Sequence, residues 1–443
     1  MPEAPLPLSS IVIYGLPSAG LHFTFFLFAL YLMKFSTDVL LLAPGVMGAL
    51  YGVSRLWDAV SDPIAGHLSD RTRSRLGRRR SWLLASALPI AAGNLMIWGA
   101  PEGMAAGPLA VWMGVGLFVY FTGTTMFSVP HESLGAELSS NYHERTRIFG
   151  VKQAVSLCGS LAAVGVMQLL IQSDAPRPLA FQQSVVAVTV TAALLVLTVA
   201  RVRERPEYQG RGGASLRGAF RDVLRNPHAR ILLLVFGIEN FGTAILGIVT
   251  PFVMQYVLGM PEMTGRFIAL YFIPALLFIP AWIHLSRRFG KKPMWLFSMS
   301  MLTLAFGGLF FVGPGDVAYV SVLGVIAGIG GGCGQVVGPS IQADVIDFDE
   351  YRTGERKEGI YFAVWNFVRK GAYGIAGVLT GVVLSVAGYE PNVEQTEAAK
   401  LGLRALFGVV PGACFAIGTL AFLRFRLTEV EHAAIRAALD RRS

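Results

Sequence analysis

The connection Gly66-His67-Leu68-Ser69-Asp70-Arg71, continuing to Gly77-Arg78-Arg79-Arg80-Ser81-Trp82, returns later as Ile283-His284-Leu285-Ser286-Arg287-Arg288, then Gly290-Lys291-Lys292-Pro293-Met294-Trp295. A second pairing links Gly135-Ala136-Glu137 with Glu144-Arg145-Thr146-Arg147 to Gln342-Ala343-Asp344 with Thr353-Gly354-Glu355-Arg356. Each of these basic stretches is bounded by long apolar runs. The chain therefore reads as one helical block written twice.

Composition supports a membrane setting. Of 443 residues, 53% are apolar and only 15% charged, where a soluble domain carries about 25% charged residues. Mean hydropathy is +0.55. The uncharged runs reach the roughly 20 residues that cross a bilayer core of about 30 Å. A soluble enzyme, a disordered chain and a secreted disulfide scaffold are excluded on these grounds. Spans are expected near 9–33, 43–66, 82–100, 107–130, 149–172, 180–200, 231–257, 264–285, 293–312, 317–342, 360–387 and 401–423, twelve in all. Turns such as Gly313-Pro314-Gly315 join neighbouring spans with almost no loop.

Orientation follows from the basic residues. The connections at 67–81, 134–148, 201–230, 286–292 and 343–359, with the tail from 424, hold 28 of the 37 Lys and Arg. The opposite connections offer only Lys34, Arg177, Arg266, Lys400 and Arg404. Positive charge collects on the cytoplasmic side, so both termini are expected there, as an even number of spans requires. The net charge of +9 is thus topological, and no nucleic-acid partner is expected. No Lys or Arg precedes Lys34, so the first apolar run reads as a retained helix and not a signal peptide. Cys158, Cys333 and Cys414 sit inside apolar runs without metal-ligand spacing.

The expected organisation is a six-helix bundle over 1–200, a basic amphipathic cytoplasmic linker over 201–230, a second bundle over 231–423 and a cytoplasmic tail helix over 424–443. In the linker, Leu216, Phe220, Val223 and Leu224 alternate at helical spacing with Arg217, Arg221 and Arg225. In the tail, Thr428 and Glu431 form a capping-box pattern ahead of Ile435, Ala438 and Leu439. A six-plus-six duplication is the build of a rocker-type transporter with its substrate site at mid-membrane.

An ionisable side chain at bilayer depth costs about 2.5 to 3.5 kcal/mol on insertion scales, so each one needs a reason. The second span carries Arg55-Leu56-Trp57-Asp58-Ala59-Val60-Ser61-Asp62-Pro63. Asp58 and Asp62 are one turn apart on one face, with Arg55 a turn before. Two such carboxylates repel, and a bound proton or a small hard cation such as Na⁺ relieves the repulsion. A structural ion pair, Arg55 with one Asp and Lys370 with the other, is the alternative. Lys370 stands ten residues into the eleventh span, and Glu239, Asn240, His22, His131 and Glu132 complete the ionisable and polar set. The run Gly328-Ile329-Gly330-Gly331-Gly332-Cys333-Gly334, with Gly324 and Gly338, lies within a span and reads as a small-residue packing ladder, not a phosphate loop. No Gly-x-Ser-x-Gly or His/Cys cluster suggests catalysis, so no catalytic residue is assigned.

The second-span motif with Gly66 and Asp70 to Arg80, together with Val129-Pro130 to Leu138, Asp347 to Arg356 and Gly388 to Gln395, resembles the glycoside-pentoside-hexuronide:cation symporters. These are the melibiose-permease-like branch of the major facilitator superfamily, and the likeness covers the whole chain. It implies an all-α membrane protein with twelve transmembrane helices in two six-helix pseudo-repeats. It also implies cation-coupled inward movement of a small organic solute by alternating access. Asp58 and Asp62 match the family's cation pair, Thr125 its fourth-helix hydroxyl ligand and Lys370 its eleventh-helix lysine. Ser61 stands where sodium-using members often carry Asn, leaving Na⁺, H⁺ and Li⁺ open as the coupling ion. The sugar positions of the melibiose type are occupied here by His22, Ser128, Glu132 and Gln153, so a galactoside is not supported. A lysolipid-carrying animal branch keeps the same Asp pair.

The expected function is therefore cation-coupled symport of a glycoside, pentoside or hexuronide by a monomer in the inner membrane of a bacterium, without a cofactor. A lysolipid or other amphiphile carrier is the alternative, and a non-transporting receptor the rival from another class. The expected cation site is Asp58, Asp62, Thr125 and Ser61. The expected solute site is His22, Ser128, Glu132, Gln153, Glu239, Trp365 and Lys370, with Trp365 or Tyr120 as an aromatic platform. Asp70, Arg71, Arg73, Glu137, Arg145, Asp344 and Arg356 are expected to pair and part as a cytoplasmic gate.

Overall fold

The computed structural model describes residues 6–139, 142–202, 204, 221, 223–354 and 358–441. Among them there is helix and no strand. The chain divides into two compact units, Met1–Gly213 and Ala214–Ser443.

The first unit contains α1 (Leu8–Leu27), α2 (Pro44–Arg71), α3 (Arg78–Trp98), α4 (Ala106–Glu137), α5 (Tyr142–Gln172) and α6 (Pro176–Arg201). α1 packs on α5 and α6, α3 on α4 and α6, and α2 on α4. Close approach is set by small residues: a Cβ at Gly93 would strike the Tyr120 backbone, and one at Gly159 the backbone of Ala19. α1 continues through two π-helical turns, Phe28–Leu32 and Phe35–Val39. Their wider coil carries a buried pair, Lys34 Nζ at 2.6 Å from Asp38 Oδ2.

The second unit contains α7 (Pro227–Tyr256), α8 (Thr264–Leu277), α9 (Ile279–Phe289), α10 (Lys291–Gly308), α11 (Val317–Thr353), α12 (Glu358–Val386), α13 (Glu397–Arg404), α14 (Val410–Leu423) and the tail helix α15 (Glu429–Asp440). α13 and α14 are joined by a π-helical turn, Ala405–Val409. The span expected over 264–285 is broken: α8 and α9 meet at 48°, where Pro274 and Pro280 each withdraw a backbone donor. Gly324, Gly328 and Gly332, one turn apart on α11, face Phe267, the Tyr271 backbone and the Ala275 backbone of α8. They form the small-residue seam that the sequence pattern suggests. Asn226 caps α7, accepting from His228 N at 3.0 Å and Ala229 N at 3.3 Å, while its amide donates to Val345 O and Tyr361 Oη.

Ten of the described helical stretches are long and apolar enough to cross a membrane, eleven if the bent α8–α9 pair is one span. α2 is long enough at 28 residues but carries Arg55, Asp58, Asp62, His67, Asp70 and Arg71. The linker helix expected over 216–225 lies mostly outside the described residues, although Val223 is buried in the second unit's core.

The duplication reaches the helix ends. Gly77 and Gly290 precede α3 and α10 with φ of 105° and 91°, a conformation open to glycine. Glu204 accepts from Arg78 N, Arg79 N and Arg80 N at 2.8, 2.7 and 2.6 Å. In the second unit Glu429 accepts from Lys291 N at 3.0 Å. Each carboxylate lies at a helix N-terminus, where the dipole favours negative charge.

Candidate functional site

α2 places Arg55, Asp58, Ser61 and Asp62 on the stripe that faces α4. Trp57 points along the neighbouring stripe, donating Nε1–H to Thr122 Oγ1 at 2.9 Å and stacking on Phe118 at 4.7 Å. Arg55 Nη1 lies 2.8 Å from Asp58 Oδ2, both side chains 4% exposed. The guanidinium is held between the rings of Phe25 and Phe121, at 5.2 and 5.0 Å from their centroids. The ion pair that the sequence reading set against a cation site is thus present for Asp58.

Thr125 closes the other side. Its Oγ1 stands 3.0 Å from Asp58 Oδ1, 3.2 Å from Asp62 Oδ1 and 2.9 Å from Ser61 Oγ. Ser61 Oγ is also 3.2 Å from the Asp58 carbonyl. A threonine hydroxyl has one hydrogen to donate, and here two carboxylates lie within its reach. Three hard oxygens, two of them from carboxylates, converge on one buried hydroxyl, which supplies the fourth. Such a donor set suits a proton or a hard monovalent cation.

The solute-site expectations are scattered over both units. His22 Nδ1 is 2.8 Å from Ser18 O of its own helix. Ser128 is half-buried and Gln153 exposed. Glu132 forms an ion pair with Lys152 of α5, a residue the sequence reading passed over. The signal was present, because Lys152 lies within the expected fifth span. His131 stacks on Tyr14 at 4.3 Å and bonds its carbonyl, which makes it a packing residue between α4 and α1. Trp365 is 2% exposed, packed against Tyr361 and Phe362, and offers no open ring face in this state. Tyr120 is fully buried, with its hydroxyl 2.7 Å from Thr24 Oγ1. Glu239 and Lys370 are half-buried on α7 and α12 of the second unit.

At the helix ends expected to form the gate, Glu137 bonds Arg78 at 2.7 Å and Arg79 at 3.4 Å. Arg71 and Arg73 are exposed on the connection. Arg78 and Arg79 win because the first turn of α3 points them at the end of α4. Asp344 takes Lys291 at 2.7 Å and lies 3.5 Å from His432 of the tail helix. His432 is also 3.0 Å from Asp347, which Arg436 approaches at 3.5 Å. The side chains of Asp70, Arg145 and Arg356 lie outside the described residues.

A multi-helix membrane chain with buried charges on one helix stripe and a duplicated plan is a secondary transporter by build. The family model for MFS/sugar transport proteins matches residues 13–429, and the chain belongs to that family. An uncharacterized symporter of Bacillus subtilis, YjmB, is 28% identical, covering 100% of this chain and 97% of its own. The isoprimeverose transporter of Lactiplantibacillus pentosus is 25% identical over 96% of this chain and 90% of its own. Among solved structures, a D-xylose-proton symporter superposes with a TM-score of 0.68 at 15% identity, over 95% of this chain and 98% of the other. That likeness establishes the facilitator fold alone. The protein is a multi-pass integral membrane protein.

Proposed function

We propose that the chain is a cation-coupled symporter of the bacterial inner membrane, carrying a glycoside, pentoside or hexuronide inward by alternating access. It has twelve spans, with α2 and the bent α8–α9 pair each counted as one, and both termini in the cytoplasm. It works without a cofactor and is not an enzyme. The two units correspond to the six-helix blocks, and Glu137 and Asp344 close the cytoplasmic side through their basic partners.

The observation that carries this reading is the shared hydroxyl of Thr125. Thr125 Oγ1 lies within hydrogen-bond reach of Asp58 and Asp62 at once, and two carboxylates brought to one hydroxyl make a donor set that suits a single monovalent cation. Na⁺ or Li⁺ would bind the oxygens of Asp58, Asp62, Ser61 and Thr125. A proton would bind one carboxylate and bridge to the other. The relative named for isoprimeverose points to a pentose-containing glycoside as the first solute to test.

Thermal stability of the purified protein, measured while Na⁺, Li⁺ and pH are varied, tests the site. Stabilisation by Na⁺ or Li⁺ that disappears in Asp58→Asn and Asp62→Asn identifies a metal-ion site. Stabilisation by lowered pH alone identifies a proton. A wild type indifferent to both, with equally stable Asn variants, refutes the mechanism. Uptake of isoprimeverose and of aryl glucuronides into vesicles under the identified ion gradient, with a lysolipid as comparison, then tests the solute class.

A further inference from the structure

Three of the acidic side chains described so far have a cationic partner, and Asp62 shares the Thr125 hydroxyl with Asp58. Asp38 has Lys34, Asp58 has Arg55, and Glu132 has Lys152. Glu239 differs. It lies in the middle of α7, and its Oε1 is sealed from solvent with no hydrogen-bond partner. No salt bridge or side-chain hydrogen bond reaches either of its oxygens among the described residues. The residue as a whole is half-buried.

Among the described residues no salt bridge brings a counter-charge to the carboxyl. α14 presents Gly418, where a Cβ would stand 3.8 Å from Glu239 Cγ and 3.1 Å from Met299 Cε of α10. The titratable groups that face the carboxyl are neutral ones: Tyr271 of α8 and Cys333 of α11. Cys333 Sγ is directed at Met294 O, 3.6 Å away. α12 packs on α7 and carries Lys370 and Tyr373, yet no bond from it reaches Glu239. The neighbours on α7 itself are committed to the backbone, Asn240 to Phe236 O at 2.7 Å and Thr243 to Glu239 O at 2.9 Å. An unpaired carboxylate in such a place costs several kcal/mol, and taking up a proton removes the charge.

We propose that Glu239 is a proton-binding site of the C-terminal unit, loaded at neutral pH and independent of the Asp58/Asp62 pair. Loading converts carboxylate and hydronium into neutral acid and water, and unloading reverses it. The chain then holds two ionic sites, one in each unit. This deepens the carrier reading above, yet it stands on a group that reading does not need for its cation.

The test is a pH-difference infrared spectrum of the purified, solute-free protein, so that failure of the transport reading leaves the result intact. At neutral pH the wild type should show the C=O band of a protonated carboxyl. The band should disappear in Glu239→Gln, persist in the Asp58→Asn/Asp62→Asn double variant, and fade on alkalinisation. If Glu239→Gln does not fold, Glu239→Asp should move the band without removing it. A wild type without the band, a band indifferent to both changes at position 239, or a band abolished in the Asn double variant overturns the proposal.

Discussion

Replacing Thr125 by Val keeps the shape of the side chain and removes the hydroxyl. Thr125 is 1% exposed, so no water replaces the lost donor. Asp58 Oδ1 and Asp62 Oδ1, at 3.0 and 3.2 Å, forfeit the one donor they share. A buried acceptor left short costs about 1 to 3 kcal/mol. For the bound cation the loss is one oxygen ligand, taken as about 1.4 kcal/mol, or tenfold in Kd. With cation at about 100 times the wild-type Kd, binding stabilises the fold by about 2.7 kcal/mol. A tenfold weaker site leaves about 1.4 kcal/mol at the same concentration. The assay is a thermal-shift titration with Na⁺ and Li⁺ at constant ionic strength, run beside Thr125→Ser, which keeps the hydroxyl. About half the ion-induced shift should vanish in Thr125→Val and most should remain in Thr125→Ser. An undiminished shift in the Val variant, or equal losses in both, would refute the placement of the ion at Thr125.

Further expectations concern the frame around the site. Glu204→Gln removes the charge that three N–H groups of α3 share, so the N-terminal unit should lose about 1 to 2 kcal/mol. Faster amide exchange over Arg78–Ser81 checks this, and unchanged exchange contradicts it. Gly328→Leu drives a side chain into the Tyr271 backbone, which cannot swing aside, and should cost about 3 kcal/mol of thermal stability. Gly334→Ala, on the same helix with open space around it, should be neutral or stabilising by about 0.5 to 1 kcal/mol, and equal damage from both would dismiss the α8–α11 seam. In the tail, bonds from the Thr428 backbone and hydroxyl hold the Glu431 carboxyl below its ordinary value of 4.5. A lowered value means stability that is present above 4.5 and lost as pH falls through the folded value. Protection of the α15 amides, corrected for the intrinsic exchange rate at each pH, should therefore fall in acid, and Glu431→Gln should flatten that response; a variant with the wild-type acid profile would assign it elsewhere.

The repeat motifs and the charged stripe of α2 were legible because both depend on residue type at fixed spacing. Hydropathy alone passes over α2, since the residues that make it a candidate ion site also make it poorly apolar. Helix ends were less legible. α11 runs to Thr353 and α4 to Glu137 because leaving the bilayer ends an apolar run without ending a helix. The break at Phe278 was missed although Pro274 and Pro280 flank it, because an uninterrupted apolar run hides a change of direction. Contacts that need two helices side by side were beyond reach: Lys152 beside Glu132, and Arg78, not Arg71, beside Glu137. Trp365 shows the same limit, since an aromatic suited to stacking on a sugar is equally suited to filling a core.

Glu204 and Glu429 bear on how the protein is made. Each is supplied from beyond the last span of its own block, and each seals the start of a helix laid down much earlier, at Arg78 and at Lys291. During synthesis the first block acquires its seal soon after its sixth helix emerges, while the second block is still unmade. The second waits for Glu429, which follows the helix α14. A premature stop before Glu429 would leave α10 uncapped and Asp344 without His432, although every membrane span had been completed. Quality control at the ribosome would then meet a protein with its spans inserted whose second half lacks the contacts that the tail helix makes.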